Sequence, residues 1–261
     1  MQDFWLCLSA FLAGAINSIA GGGTLLTFPV LDWTLGGGAL ASVHANATST
    51  VALLPGSIGG MWGYRREFTG TRRWCLWLLP PSIVGGLLGS WLLVALPAEN
   101  FKLLVPWLIL TASTLFTIQP WIAKKTGIGQ PHSDPTFGTM IVIAGFQLGV
   151  AIYGGYFGAG IGILMLSALA MMGLADIHRM NALKSLFGTF INALAATVFI
   201  VQGQVHWRYA FPMAIAAVIG GISGASVARR LDRRIVRWCV IVVGFSLGMY
   251  YVIKTYHLFP Q

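Results

Sequence analysis

Gly154-Gly155-Tyr156-Phe157-Gly158-Ala159-Gly160 interrupts an uncharged run that extends from Thr136 to Ala175. About 20 apolar residues cross a bilayer, so this run is long for one crossing and short for two. A glycine-rich break in its middle predicts a re-entrant hairpin, two half-helices that fold back within the membrane. Backbone polar groups freed at such a tip are tolerated only where protein or a water-filled cavity satisfies them. Its counterpart in the first half, Phe4–Ala41, charge-free from Phe4 to Leu31, breaks at Gly21-Gly22-Gly23.

The two breaks belong to a repeat. Phe11, Gly14, Gly23, Asn46-Ala47, Gly85-Gly86 and Gly89 recur as Phe146, Gly149, Gly158, Asn181-Ala182, Gly220-Gly221 and Gly224, each pair 135 positions apart. An internal duplication in a membrane chain is common among secondary transporters, whose substrate lies where two related halves meet. The division predicts a first repeat over 1–123, a linker over 124–135 that holds Gly127, Gly129, Pro131 and Pro135, and a second repeat over 136–261.

Composition puts most of this chain in lipid. Of its 261 residues, 56% are hydrophobic and 9% charged, against about 25% charged in soluble domains. Further charge-free runs at Ala45–Tyr64, Trp74–Leu96, Leu103–Ala123, Ser185–Val205 and Tyr209–Ala228 have the length of membrane spans. The net charge of +9 is gathered in short clusters at span ends, where it sets orientation, so no nucleic-acid partner is expected. Asp3 stands where a signal peptide would carry basic residues, so the first apolar stretch is expected to stay in the mature protein. Cys7, Cys75 and Cys239 form no paired motif and read as packing residues.

Charge parity sets the topology. Simple counting gives eight hydrophobic units, four per half, and would make the repeats parallel. Arg65-Arg66-Glu67 with Arg72-Arg73, Lys124-Lys125 and the cluster Arg229–Arg234 should all be cytoplasmic, which eight plain crossings forbid. Treating each hairpin as non-crossing leaves three spans per half, inverts one half against the other, and puts every basic cluster inside with both termini outside. Equivalent loops agree: Arg65–Arg73 is arginine-rich where Ile200–Arg208 has only Arg208, and Leu96–Lys102 is nearly neutral where Leu231–Arg237 is basic. The expected fold is therefore an all-α integral membrane protein of two inverted-topology repeats. Gly85-x-x-x-Gly89, Gly220-x-x-x-Gly224 and Gly244-x-x-x-Gly248 permit close helix contact, within the monomer or in a homo-oligomer. Trp74, Trp77, Trp121, Trp207 and Trp238 lie near run ends, as interfacial anchors do.

Two polar segments stand out. Val43-His44-Ala45-Asn46-Ala47-Thr48-Ser49-Thr50 follows the first hairpin, and Ile177-His178-Arg179-Met180-Asn181-Ala182-Leu183-Lys184-Ser185 follows the second. With the tips, they would enclose a cavity near the midplane. Amides at half-helix N-termini bind anions without a formal charge. Gly21, Gly22, Gly23, Thr24, Asn46, Thr48, Ser49, Gly158, Ala159, Gly160, Asn181, Lys184 and Ser185 are the candidate binding residues. Asn46 and Asn181 have a second role open to them as helix N-caps, and Lys184 either snorkels to the interface with Arg179 or attracts an anion. The acids Asp3, Asp32, Glu67, Glu99, Asp134, Asp176 and Asp232 all lie near run ends, so no carboxylate is expected to relay protons or hold a cation within the membrane. No Walker, zinc-protease or nucleophile-elbow motif is present, so neither a cofactor nor an enzymatic activity is expected.

Ala13-Gly14-Ala15-Ile16-Asn17-Ser18-Ile19-Ala20-Gly21-Gly22-Gly23-Thr24, followed by Pro29 and Ala45-Asn46-Ala47-Thr48-Ser49, resembles the TauE/SafE sulfite exporter family. Gly158-Ala159-Gly160 and Asn181-Ala182-Leu183-Lys184 fit the same pattern, and the likeness covers essentially the whole chain. It implies movement of sulfite or small organosulfonates across the prokaryotic inner membrane, without fixing the anion or the direction. A passive anion channel with the same site is the alternative.

Overall fold

The computed structural model describes residues 2–19, 22–125, 136–174, 176–227 and 233–256. All its regular elements are helical: α1 Gln2–Ile19, α2 Thr24–Thr34, α3 Ala39–Gly63, α4 Arg72–Ala95, α5 Ala98–Lys125, α6 Phe137–Tyr156, α7 Ile161–Met171, α8 Ile177–Val201, α9 Trp207–Val227 and α10 Arg233–Tyr256, with a single 3₁₀ turn over Arg65–Phe68. Both glycine breaks fall between helices, α1 from α2 and α6 from α7. The arms are unequal. α2 and α7 have 11 residues each, roughly 16 Å of helix, whereas α1 has 18 and α6 has 20, roughly 27–30 Å. Each hairpin is therefore one long arm and one half-length arm, where the glycine breaks alone predicted two half-helices.

Among the described residues, five helices are long and apolar enough to cross a membrane: Arg72–Ala95, Ala98–Ile118, Phe137–Tyr156, His178–Val201 and Trp238–Tyr256. The 25-residue α3 is not among them. Its polar face is buried against protein, with Ser42, Asn46, Thr48 and Ser49 all inaccessible. Large apolar side chains such as Trp33, Val142, Phe211, Ile222 and Val242 point outward instead, as a bilayer requires.

Helix pairing repeats along the chain. α4 and α9, and likewise α5 and α10, begin 135 residues apart, at Arg72 and Trp207 and at Ala98 and Arg233. The same shift carries Gln2 of α1 onto Phe137 of α6. The most extensive contacts are α1 on α9 and α4 on α6, two packings that this shift exchanges. α3 lies on α8, and α5 on α10.

Glycine makes those approaches close. A Cβ on Gly89 would collide with the Ile152 carbonyl, one on Gly155 with the Gly86 carbonyl, and one on Gly220 with the Phe11 carbonyl. Gly244 and Gly248 similarly face Ser113 and Leu110 of α5. The small-residue stripes thus pack within one chain. α6 runs parallel to α4, with Trp77 beside Phe137, Gln147 Nε2 donating to Ser82 Oγ at 2.9 Å, and Gly89 against Ile152.

The bundle has two distinct ends. At one, Trp74 Nε1 donates to the Met172 carbonyl, Gly70 faces Arg179, and Arg65–Phe68 packs on α8. At the other, His44 Nδ1 bonds the Gln204 carbonyl, Trp107 Nε1 donates to Tyr256, and Tyr251 bonds Asp32. The basic segment Arg65–Arg73 accordingly sits with the mouth of the second hairpin. Lys124 and Lys125 of the expected linker end α5, while its residues 126–135 and Arg229–Asp232 lie outside the described residues.

Candidate functional site

Both tips need glycine for their backbone. Gly22 has φ +96°, and Gly158 and Gly160 have φ +84° and +78°, a left-handed region costly for any residue with a Cβ. A Cβ on Gly22 would also strike the Phe116 ring. Gly23 is buried, and its amide donates to Asn17 Oδ1 at 3.4 Å. Thr24 opens α2, and Gly21 lies outside the described residues. Gly158 N–H donates to the Tyr153 carbonyl at 3.2 Å, and Ala159 is buried beside it. Neither α2 nor α7 has a side-chain cap; the Leu25 and Leu26 amides turn back onto the Gly22 and Gly23 carbonyls, and in α7 the Ile163 amide turns back onto that of Gly160.

Asn46 reaches the second tip. It is 1% exposed, and its Nδ2 donates to the carbonyl of Tyr156, the last residue of α6, at 3.0 Å. Its Oδ1 is buried with no partner among the described residues, an acceptor left over beside the glycine turn. Ser49 Oγ bonds Thr27 Oγ1 on α2 at 2.5 Å. Thr48 turns elsewhere: its Oγ1 accepts the His206 amide at 3.0 Å, just ahead of α9. Of the first polar segment, Asn46 and Ser49 thus meet the hairpins and Thr48 does not.

In the second segment, Asn181, Lys184 and Ser185 are partly buried on α8. The Lys184 side chain crosses Gly162 of α7, where a Cβ would come 3.2 Å from its Cδ. Its ammonium has no hydrogen-bond or ion-pair partner among the described residues. Shifting Thr27 and Ser49 by 135 positions gives Gly162 and Lys184. Where the first half closes hairpin to helix with a hydroxyl pair, the second half removes one side chain and lays a lysine in the space, against the first turn of α7.

Neither repeated asparagine is a cap. α3 begins seven residues before Asn46, after Gly38, and α8 is capped by Asp176, whose Oδ1 accepts from the His178 and Arg179 amides at 2.9 and 3.3 Å. Asp176→Ala should therefore cost about 1 kcal/mol, the usual worth of such a cap, seen as a lowered thermal midpoint of the purified protein. Asn181→Ala should show no cap-like loss of that kind.

Two groups escaped the sequence. Asn192 lies 4.0 Å from where a Gly158 Cβ would be, and its Nδ2 reaches Ser57 Oγ at 3.5 Å. Ser57 and Asn192 are themselves 135 apart, so overlaying the halves would have paired them. Asp32, expected near a run end, lies two residues from the end of α2 and is 1% exposed there, a burial the sequence did not announce. Two surface grooves lie away from the tips, one of about 400 Å³ along α4 over Leu76, Leu79, Pro80 and Ile83, the other on α5 over Trp107, Thr111 and Thr114.

The chain is similar along nearly its whole length to bacterial membrane proteins. It is 25% identical over 238 residues to a probable membrane transporter protein of Haemophilus influenzae, covering 91% of this chain and 89% of that one. To a probable membrane transporter protein of Sinorhizobium, ORF9, it is 26% identical over 261 residues, 95% and 94% of the two chains. To the probable membrane transporter protein YfcA of Escherichia coli K12 it is 26% identical over 235 residues, 90% and 83%. No solved structure matches it. The profile of one membrane transporter family spans residues 6–251, both hairpins included, and the chain belongs to that family, sulfite exporter TauE/SafE.

Proposed function

We propose that this transporter moves a small sulfur oxyanion, sulfite or an organosulfonate such as sulfoacetate, through a site between the two hairpin tips in the bacterial inner membrane. The observation that carries the proposal is Lys184, laid across Gly162 at the uncapped start of α7 with no carboxylate bonded to it. An ammonium beside a helix N-terminus favours an anion twice over, by its charge and by the amides it adjoins. Asn46 and Asn192 bring neutral amides to the same glycine turn, Asn181 and Ser185 share α8 with Lys184, and Ser49 lies at the equivalent place in the first half. A sulfonate spreads its charge over three oxygens, which several such donors suit.

The same proposal takes residues 1–123 and 136–261 as inverted-topology repeats joined by 124–135, with both termini outside. The exchanged α1–α9 and α4–α6 packings support it, as do the basic segment at one end and the buried polar face of α3. A cysteine at Thr69 should resist an impermeant maleimide applied to intact cells and react after permeabilisation. Strong labelling in intact cells would overturn this orientation.

Transport itself is tested in proteoliposomes with radiolabelled sulfite. Uptake should saturate, show counterflow, and fall when sulfoacetate is added. Linear uptake without counterflow would favour a channel, and failure of every sulfonate to compete would overturn the anion assignment.

A further inference from the structure

α4 has two unlike faces. Leu78, Ser82, Gly85 and Gly89 are buried, and the two glycines meet the backbone of α6. Roughly a third of a turn away, Leu76, Leu79, Pro80, Ile83 and Val84 recur at three- and four-residue spacing and line the groove of about 400 Å³. Its lining is apolar except at one end, which Arg72 completes. Leu76 and Val84 are exposed along its rim. Since α4 is long and apolar enough to cross a membrane, this face meets the acyl chains of the bilayer.

The groove has the depth of one leaflet. From Arg72 to Val84 the helix rises roughly 18 Å, and half of a hydrocarbon core is roughly 15 Å. It therefore runs from a membrane surface to about the midplane. Charge is concentrated at its surface end. Arg65, Arg66 and Arg73 are exposed in the same segment, where Glu67 is the one acid. Among the described residues Arg72 forms no ion pair, and α4 opens beside it without a side-chain cap, so the helix dipole adds to the positive field. A cation heading an apolar trough of this depth complements an anionic headgroup that carries an acyl tail.

The second half lacks this combination. A shift of 135 positions carries Arg72 onto Trp207 of α9, and Leu76, Pro80 and Val84 onto Phe211, Ile215 and Ile219. Those three are bulky and exposed, and an indole stands at the head of the strip. General contact with lipid asks no more than that. The arginine, and the compact proline ring that deepens the trough behind it, belong to α4.

We propose that this groove binds an anionic phospholipid, with the phosphate on Arg72 and one acyl chain along Leu76, Leu79, Pro80 and Ile83. The neighbouring arginines raise the local potential, as basic segments do beside anionic membranes. A lipid seated there covers the free face of α4 and stabilises the folded state by mass action. The inference depends neither on the transported anion nor on which side of the membrane the arginines lie.

Delipidated protein in a neutral detergent, titrated with dioleoyl phosphatidylglycerol or dioleoyl phosphatidylcholine, tests it by native mass spectrometry and thermal midpoint. The first phosphatidylglycerol should bind more tightly than phosphatidylcholine and raise the midpoint further. One arginine near a membrane surface is worth roughly fivefold in affinity for anionic lipid. Arg72→Gln should therefore weaken phosphatidylglycerol about fivefold and leave phosphatidylcholine unchanged. Arg208→Gln, which removes the same charge at the other end of the bundle, beside Tyr209, should change neither. Ile83→Trp should fill the deep end of the groove and weaken phosphatidylglycerol although every arginine remains. Both Arg72 and Ile83 keep accessible surface, so the lipid-free midpoints of these variants should match the parent. Full phosphatidylglycerol preference in Arg72→Gln would overturn the site. So would parental binding by Ile83→Trp, or dihexanoyl phosphatidylglycerol binding as tightly as the dioleoyl form, because the arginines would then attract headgroups without a groove.

Discussion

Gly89→Ala should sharply reduce the yield of monodisperse protein, whereas Gly145→Ala should leave it unchanged or improve it. Both are single methyl additions to glycines in long helices, and helix propensity favours alanine by about 1 kcal/mol in each. The environments decide the sign. A Cβ at Gly145 meets nothing within 4 Å, while one at Gly89 collides with the backbone carbonyl of Ile152. A side chain can rotate away from an added methyl, but a carbonyl within α6 moves only if the helices part. Overpacking costs typically ~1–3 kcal/mol, and separating α4 from α6 also strains the Ser82–Gln147 bond. Gly89→Val should therefore leave almost no folded protein. Size-exclusion profiles and thermal midpoints of the three variants measure this, and parental behaviour from Gly89→Val would mean that α4 and α6 are not this close.

The same geometry explains how far the sequence could be read. Glycine breaks announce the hairpins because few other residues adopt the left-handed turns at Gly22, Gly158 and Gly160. The 135-residue offset identifies equivalent helices without any coordinates. Arm length was not legible: nothing in the run from Thr136 says that its first arm has 20 residues and its second 11, because depth in the bundle is set by packing on α4. Asn46 looked like a cap because the polar segment stood out more than the real punctuation, Gly36-Gly37-Gly38, where two residues have positive φ. Asp32 looked peripheral because the residue that covers it, Tyr251, is 219 positions away. No local pattern encodes that contact.

Lys184→Ala should weaken sulfonate binding about tenfold or more. A hydrogen bond to a charged group in a desolvated site is worth about 1.5–3 kcal/mol, and each 1.4 kcal/mol is a factor of about ten in affinity. Alanine alone could also mislead by leaving a void over Gly162. The first half supplies a better control, since its Thr27–Ser49 pair occupies the equivalent positions and bonds at 2.5 Å. Gly162→Thr with Lys184→Ser would copy that pair into the second half, filling the space and closing α7 onto α8 without a charge. This double variant should match the parent in thermal midpoint, yet bind sulfite in calorimetry as weakly as Lys184→Ala. If it binds like the parent, Lys184 snorkels and the glycine-turn amides carry recognition. If it binds weakly while staying folded, the departure from symmetry at Gly162 and Lys184 is what makes one of two related hairpins an anion site.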